Sequence, residues 1–159
     1  MTLPAAPTTI DQQVAWLVDR QLIDDLLNEY ARTLDAQDWD AHLELYAADG
    51  AIILPFGRCE RDEIVPTAKT VFPLFDATQH IATNFTVTID GDQATARANF
   101  QAAHVPRGDD SGTHSDVGGV YEFTLRKSDG SWRIALLTQQ FVWLLGRPIL
   151  DYLSAETAS

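Results

Sequence analysis

The sequence predicts an α+β domain with helices packed on one face of a curved, mostly antiparallel sheet. Three observations predict it. Apolar residues recur at three-to-four spacing near the start of the chain. Apolar and polar residues alternate through much of its second half. Two hairpin signals, Asp90-Gly91-Asp92 and Lys127-Ser-Asp129-Gly130, divide that half into strands.

Taken in order, Thr8-Thr9-Ile10-Asp11 offers an N-cap. Val14, Leu17, Val18, Leu22, Ile23, Leu26, Leu27, Tyr30 and Leu34 then form the stripe of an amphipathic helix from about Ile10 to Leu34. Asp38 can cap a second helix with Trp39, Leu43, Leu45 and Tyr46 on its apolar positions. Asp49-Gly50 is expected to end it, before a short buried strand at Ala51–Leu54. Arg61-Asp62-Glu63 opens a third helix, and Pro73 should stop it. Strands are expected at Ala82–Ile89, Ala94–Val105, Gly119–Leu125 and Trp132–Val142, with a polar loop at Pro106–Gly112.

The length of 159 residues suggests one domain, large enough to bury a core without covalent staples. It is expected to span residues 10–150, between a flexible arm at 1–9 and a frayed tail at 151–159. The arm has no basic segment and no long apolar run, so it does not read as a signal peptide. With 23 acidic and 11 basic residues the net charge is −12. Such a field repels nucleic acid and anionic membranes, and neither is an expected partner. Cys59 is the single cysteine and fits a reducing cytoplasm. The histidines show no metal-ligand spacing, so no metal and no cofactor is expected. Nucleophile-elbow and phosphate-loop motifs are missing as well.

The residues that suggest chemistry are Asp35, at the end of the first helix, and His80, placed at the start of a strand. An aspartate that accepts from one ring nitrogen raises the basicity of the other. Alternation puts His80, Ala82, Asn84 and Thr86 on one face, small and polar as a pocket lining would be. Ile81, Thr83, Phe85 and Val87 share the other. His42 is expected to be exposed on the second helix, and His114 to lie beside a glycine-containing loop.

Several segments resemble a known family. The run Ile23-Asp-Asp-Leu-Leu-Asn-Glu-Tyr30-Ala-Arg-Thr-Leu-Asp35-Ala-Gln-Asp-Trp39 is similar to its aspartate-bearing helix. Gln79-His80-Ile-Ala-Thr-Asn84 resembles its histidine-bearing strand, and Gly118-Gly119-Val-Tyr121 with Asp129-Gly130-Ser-Trp132-Arg133 its last hairpin. The order of elements resembles the cone-shaped α+β barrel of the nuclear transport factor 2-like superfamily, and within it the SnoaL-like branch. That branch includes scytalone dehydratase, bile-acid dehydratase and hexachlorocyclohexane dehydrochlorinase.

The resemblance implies a cofactor-independent lyase, isomerase or cyclase. Asp35 and His80 would form its acid–base dyad, with Tyr30 or His104 as a further proton donor. The substrate would be an apolar cyclic molecule such as a polyketide, steroid or aromatic intermediate. Where scytalone dehydratase carries two tyrosines, this chain has Leu34 and Leu54, which implies a more apolar pocket mouth. Asn84, Phe72, Phe141 and Trp143 complete the expected substrate contacts. Phe72, Phe75, Phe141, Trp143 and Leu144 fit a pocket or an oligomer interface equally. His104 fits a pocket or a rim, and Arg147 a surface site or a pocket arginine. The family also implies a homodimer or homotrimer. The competing function is a non-catalytic scaffold or binding subunit, such as the β-type subunit of a ring-hydroxylating dioxygenase. A ketosteroid-isomerase-like chemistry would need a carboxylate on a late strand, for which Asp116 is the nearest candidate.

Overall fold

The computed structural model describes residues 7–108, 114–149 and 151. The expected N-terminal arm, frayed tail and polar loop therefore lie largely outside the described residues.

Helix α1 spans Ile10–Asp35. Its start is set by Thr9, whose hydroxyl accepts from the Gln12 N–H while the Gln12 side chain accepts from the Thr9 N–H. Its C-terminal half buries Ile23, Leu26, Leu27, Tyr30 and Leu34. The N-terminal half departs from expectation: Val14, Leu17, Val18 and Leu22 are exposed. One polar anchor holds this half to the sheet. Asp19 accepts from Lys127 Nζ at 2.7 Å and from Trp132 Nε1 at 3.0 Å.

Helix α2, Trp39–Glu44, is capped by Asp38, as its sequence predicts. It ends five residues before the expected stop at Asp49, and Tyr46 opens strand β1 (Tyr46–Leu54) instead of closing a helix. The reason is tertiary. β1 pairs parallel with the last strand, Tyr46 opposite Ile134. Gly50 allows the close approach, since a Cβ there would sit 2.8 Å from the Ile134 carbonyl oxygen. A short strand β2 (Gly57–Glu60) folds back on β1 and leads into α3 (Arg61–Val71). A 3-10 turn at Phe72–Leu74 containing Pro73 terminates α3, at the expected place.

The four long strands are β3 (Phe75–Asp90), β4 (Gln93–Pro106), β5 (Ser115–Ser128) and β6 (Ser131–Gly146). The sheet order is β2-β1-β6-β5-β4-β3, antiparallel except for β1 on β6, and it is not closed. This is the α+β cone the sequence predicts. No helix among the described residues is long and apolar enough to cross a membrane.

Strand β3 begins seven residues earlier than expected, so His80 sits within it and not at its start. Its register also breaks between Thr83 and Thr86, where Asn84 has a left-handed φ of 58°. Such a bulge reverses the facing of everything beyond it. Ala82 packs on the core before the bulge, and Phe85, Val87 and Ile89 do so after it. The single alternation expected over 80–87 holds only for the first half.

Candidate active site

The end of α1 meets the inner face of β3, and Asp35 is fixed there by three donors. His80 Nδ1 lies 2.6 Å from Asp35 Oδ1, the His80 backbone N–H donates to Oδ2 at 2.8 Å, and the Thr78 hydroxyl donates to Oδ1 at 2.9 Å. Thr78 and His80 are two apart on a strand, so both side chains face the carboxylate. Partial burial works against ionisation of Asp35, but the hydrogen bonds from the His80 ring and backbone and from Thr78 hold its pKa below the usual carboxylate value. An ionised carboxylate only accepts, so Nδ1 carries the proton. That leaves Nε2 as the remaining polar atom of a ring that lines the cavity described next.

The cavity measures about 350 Å³ and lies between the sheet's inner face, α1, α2 and α3. Its wall is mainly apolar: Leu34, Leu54, Phe72, Phe141 and Val117 all line it. Phe72 stacks over the His80 ring, with centroids 6.2 Å apart and planes 23° apart.

His104 lies on β4 and is paired in register with Thr78, so it falls beside His80; the two rings meet edge to face at 5.5 Å. It is 4 % exposed, and its Nδ1 lies 2.7 Å from the Ser115 carbonyl oxygen. A carbonyl cannot donate, so here too Nδ1 holds the proton. Burial, with the charge of His80 next, pushes its pKa down to about 4. His104 is thus a neutral acceptor through Nε2. Tyr30 also lines the cavity, and its hydroxyl pKa is driven far up by burial and by the neighbouring Tyr46. It can donate a hydrogen bond and has no tendency to give up the proton.

The fold that carries this arrangement has relatives. The family model of the SnoaL-like domain matches residues 16–138. The chain belongs to the SnoaL-like family. None of the curated proteins matches it. Among solved structures, a protein of Novosphingobium aromaticivorans provisionally named an aromatic ring hydroxylase is 29% identical. That likeness covers 86% of this chain and 97% of the other, with a TM-score of 0.76. A second protein of that organism, provisionally named a scytalone dehydratase, is 21% identical, with 82% and 89% covered and a TM-score of 0.75. A hexachlorocyclohexane dehydrochlorinase of Novosphingobium barchaimii is 15% identical, with 84% and 93% covered and a TM-score of 0.73. The last two likenesses concern the fold alone.

Of the residues expected at this SnoaL-like site, Asp35 contacts His80, and Tyr30, His80, His104, Leu34, Leu54, Phe72 and Phe141 share the cavity wall. Asn84 and Trp143 do not. Both lie on a separate groove on the outer face of the sheet, together with Ile81 and Val120. The bulge turns Asn84 outward, and Trp143 lies over Gly118, where a Cβ would fall 2.1 Å from the indole. Phe75 is buried behind His104 at 4.9 Å and supports that ring from outside the cavity. Arg147 is exposed, with Nη2 donating to the Asp151 carbonyl. Asp116 pairs with His114 at 3.6 Å and is not part of the cavity wall.

The residue the sequence placed least well is His42. Expected at the surface, it is 1 % exposed and lines the cavity. Its one signal was position: three residues after Trp39, it shares a helix face with that indole. Thr78 was also missed, and its signal was the two-residue offset from His80. Among the described residues no three His, Cys, Asp or Glu side chains are grouped to hold a metal ion.

Proposed function

We propose that this chain is a cofactor-independent lyase or isomerase for an apolar cyclic small molecule, with Asp35 and His80 as its acid–base pair. The observation that carries the reading is the 2.6 Å contact between Asp35 Oδ1 and His80 Nδ1 at the wall of a largely apolar cavity. His80 Nε2 takes a proton from a carbon next to a carbonyl or similar activating group. Asp35 keeps the ring in the required tautomer and stabilises the imidazolium. In a syn elimination the same Nε2 returns that proton to the departing hydroxyl, which leaves as water. In an isomerisation it returns it to another carbon. One imidazole therefore supplies both acid and base.

Tyr30 and His104 take narrower roles than a proton donor. The Tyr30 hydroxyl, held protonated by burial, donates a hydrogen bond to developing oxyanion charge. His104, neutral with its proton toward Ser115, accepts a hydrogen bond from a substrate hydroxyl. Ring substrates such as polyketide, steroid or aromatic intermediates fit the apolar wall. Water loss, isomerisation and cyclisation share the first proton transfer.

A scaffold subunit needs no carboxylate holding an imidazole in a cavity, and this favours the enzymatic reading. The name of the aromatic ring hydroxylase relative keeps the subunit reading as the competitor. Homo-oligomer formation through the outer sheet face, where Ile81, Val142 and Trp143 are exposed, belongs to the same proposal. So does a cytoplasmic setting, supported by the single unpaired Cys59.

The test is a screen of cyclic β-hydroxy ketones for water loss and of enolisable cyclic ketones for isomerisation. The wild type is compared with Asp35→Asn and His80→Gln. Turnover that both substitutions remove supports the reading. Turnover that survives both, or none across the panel, overturns it.

A further inference from the structure

His42 lies on the cavity wall, and the acid–base chemistry above does not use it. Its place is fixed from two sides. Asp38 caps the short helix that carries it, and Thr33 on α1 faces it across the junction. The Thr33 hydroxyl lies 2.7 Å from the Glu29 carbonyl oxygen and 3.3 Å from that of Tyr30. Carbonyls only accept, so the single Thr33 proton is directed to the backbone. Thr33 Oγ1 is then an acceptor toward His42 Nδ1, 2.8 Å away, and His42 must donate through Nδ1. The neutral ring presents a lone pair at Nε2.

Three aromatic rings hold the imidazole in this orientation: Tyr30 at 5.2 Å, Tyr46 at 5.7 Å and Trp39 at 6.5 Å. None of the hydrogen bonds among the described residues reaches Nε2, and the Tyr46 hydroxyl is itself without a well-formed partner. Burial first, and the charge on His80 second, push the His42 pKa down to about 4. The ring stays an acceptor through the neutral range. A buried core histidine would be expected to satisfy both nitrogens within the protein. This one satisfies the nitrogen facing α1 and leaves the other at a ligand-sized space.

We infer that His42 is a specificity residue whose Nε2 accepts a hydrogen bond from a hydroxyl of the bound molecule. The cavity would thereby select cyclic compounds carrying a hydroxyl at a position other than the carbon that His80 deprotonates. The inference rests on the reading of this cavity as a substrate site and deepens it. His104 supplies a second acceptor by the same logic, its Nδ1 proton directed to Ser115. Two fixed acceptors on an apolar wall favour a ring with two hydrogen-bond donors over its ether or hydrocarbon analogue. A buried acceptor facing an analogue without the donor remains unpaired, which penalises that analogue.

The test uses full-length protein labelled with 15N in the histidine rings. The probes are bicyclic diols on indane, tetralin and decalin cores, each paired with its own dimethyl ether. Two variants separate structure from recognition. His42→Asn keeps an N–H near the Nδ1 position for Thr33 and removes the outer acceptor. His42→Gln restores a polar group near Nε2.

At least one diol is expected to bind wild type about 10-fold or more tighter than its ether, a ratio in keeping with one hydrogen bond. Binding should move the His42 Nε2 resonance upfield. His42→Asn should lose that preference, and His42→Gln should recover part of it. The inference is overturned if no diol is preferred over its ether, if no member binds, or if the His42 Nε2 resonance is unmoved on binding. Should His42→Asn fail to fold, the wild-type resonance decides alone. Turnover is not read here, so the two proposals fail separately. A preserved diol preference without catalysis removes the dyad reading only, and catalysis without the preference removes only the role of His42.

Discussion

The two faces of the same four strands carry opposite kinds of site. On the inner face each histidine is tied to one partner, His42 to Thr33, His80 to Asp35 and His104 to Ser115, and His42 and His104 are buried. On the outer face the groove around Trp143 is lined by Ile81, Thr83, Asn84 and Val142, with none of the ionisable side chains that mark the inner wall. The inner wall is mainly apolar, whereas the outer groove mixes Ile81, Val142 and Trp143 with Thr83, Asn84, Asn99 and Gln101. What separates them is that the inner-wall tautomers are set by hydrogen-bond partners before any ligand arrives. An oriented imidazole can exchange a proton with a bound molecule, whereas exposed apolar area supports only contact.

The largest effects should fall on one face alone. His80→Gln is expected to lower turnover by roughly 10³-fold and Asp35→Asn by roughly 10²-fold, within the range for removing general acid–base help. Trp143→Ala, on the other face, should change kcat/KM less than about twofold. Steady-state rates on a substrate found by screening, with circular dichroism to confirm folding, check this. A comparable loss in Trp143→Ala would break the distinction between the faces.

Next comes acid stability. His42 and His104 are held neutral, with pKa values near 4 against about 6.5 in an unfolded chain. Between those values the unfolded state binds more protons, so stability falls as pH drops from about 6.5 to about 4. At about 1.4 kcal/mol per unit, each ring accounts for at most about 3–4 kcal/mol across that window. Asp35, with a depressed pKa, adds a separate loss below about pH 4 as its carboxyl is forced to protonate. Urea midpoints measured from pH 7 to pH 4.5 should fall steeply. His104→Phe should remove part of that slope, and a flat profile in the wild type would contradict the buried neutral state.

Phe72→Ala is expected to cost about 2 kcal/mol, below the range for a fully buried phenylalanine because the ring is only partly buried. It should also raise KM more than it lowers kcat, since it removes the ring stacked on His80 without touching the Asp35 contact. Thermal melts and a separation of kcat from KM test both halves.

How much of this could be read in the sequence depended on how local each cause was. The Thr9 and Asp38 caps, the Pro73 stop and the Gly91 and Gly130 turns are set by neighbouring residues and were legible. Asp35 and His80 were expected as a pair through the family resemblance; their own neighbours give only a carboxylate at a helix end and an imidazole on a strand. The exposure of Val14, Leu17 and Leu22 was not, because a helical stripe states which residues share a face and not how far the sheet extends beneath them. Tyr46 was read as helix because its partner, Ile134, lies far along the chain. His42 was placed at the surface because its burial needs α1, α2 and β1 to meet. Its tautomer needs Thr33, nine residues before it, to have given its proton to the backbone.

The smallest predicted effect sharpens the comparison of faces at the residue that switches them. Asn84 has φ 58°, at the break in the β3–β4 register that turns Phe85, Val87 and Ile89 to the core. Asparagine tolerates the left-handed region, glycine adopts it freely and a β-branched residue does not. Asn84→Gly should therefore leave stability within about 0.5 kcal/mol, whereas Asn84→Val should cost about 1–2 kcal/mol from backbone strain. Neither should alter kcat, because the bulge lies four residues beyond His80 and its side chain faces the outer groove. Chemical denaturation of the two variants tests the strain, and their rates test the separation. Equal stability of Asn84→Val and Asn84→Gly would mean that the strand can slip its register here. The inward facing of Phe85 and its partners would then be maintained by their packing alone.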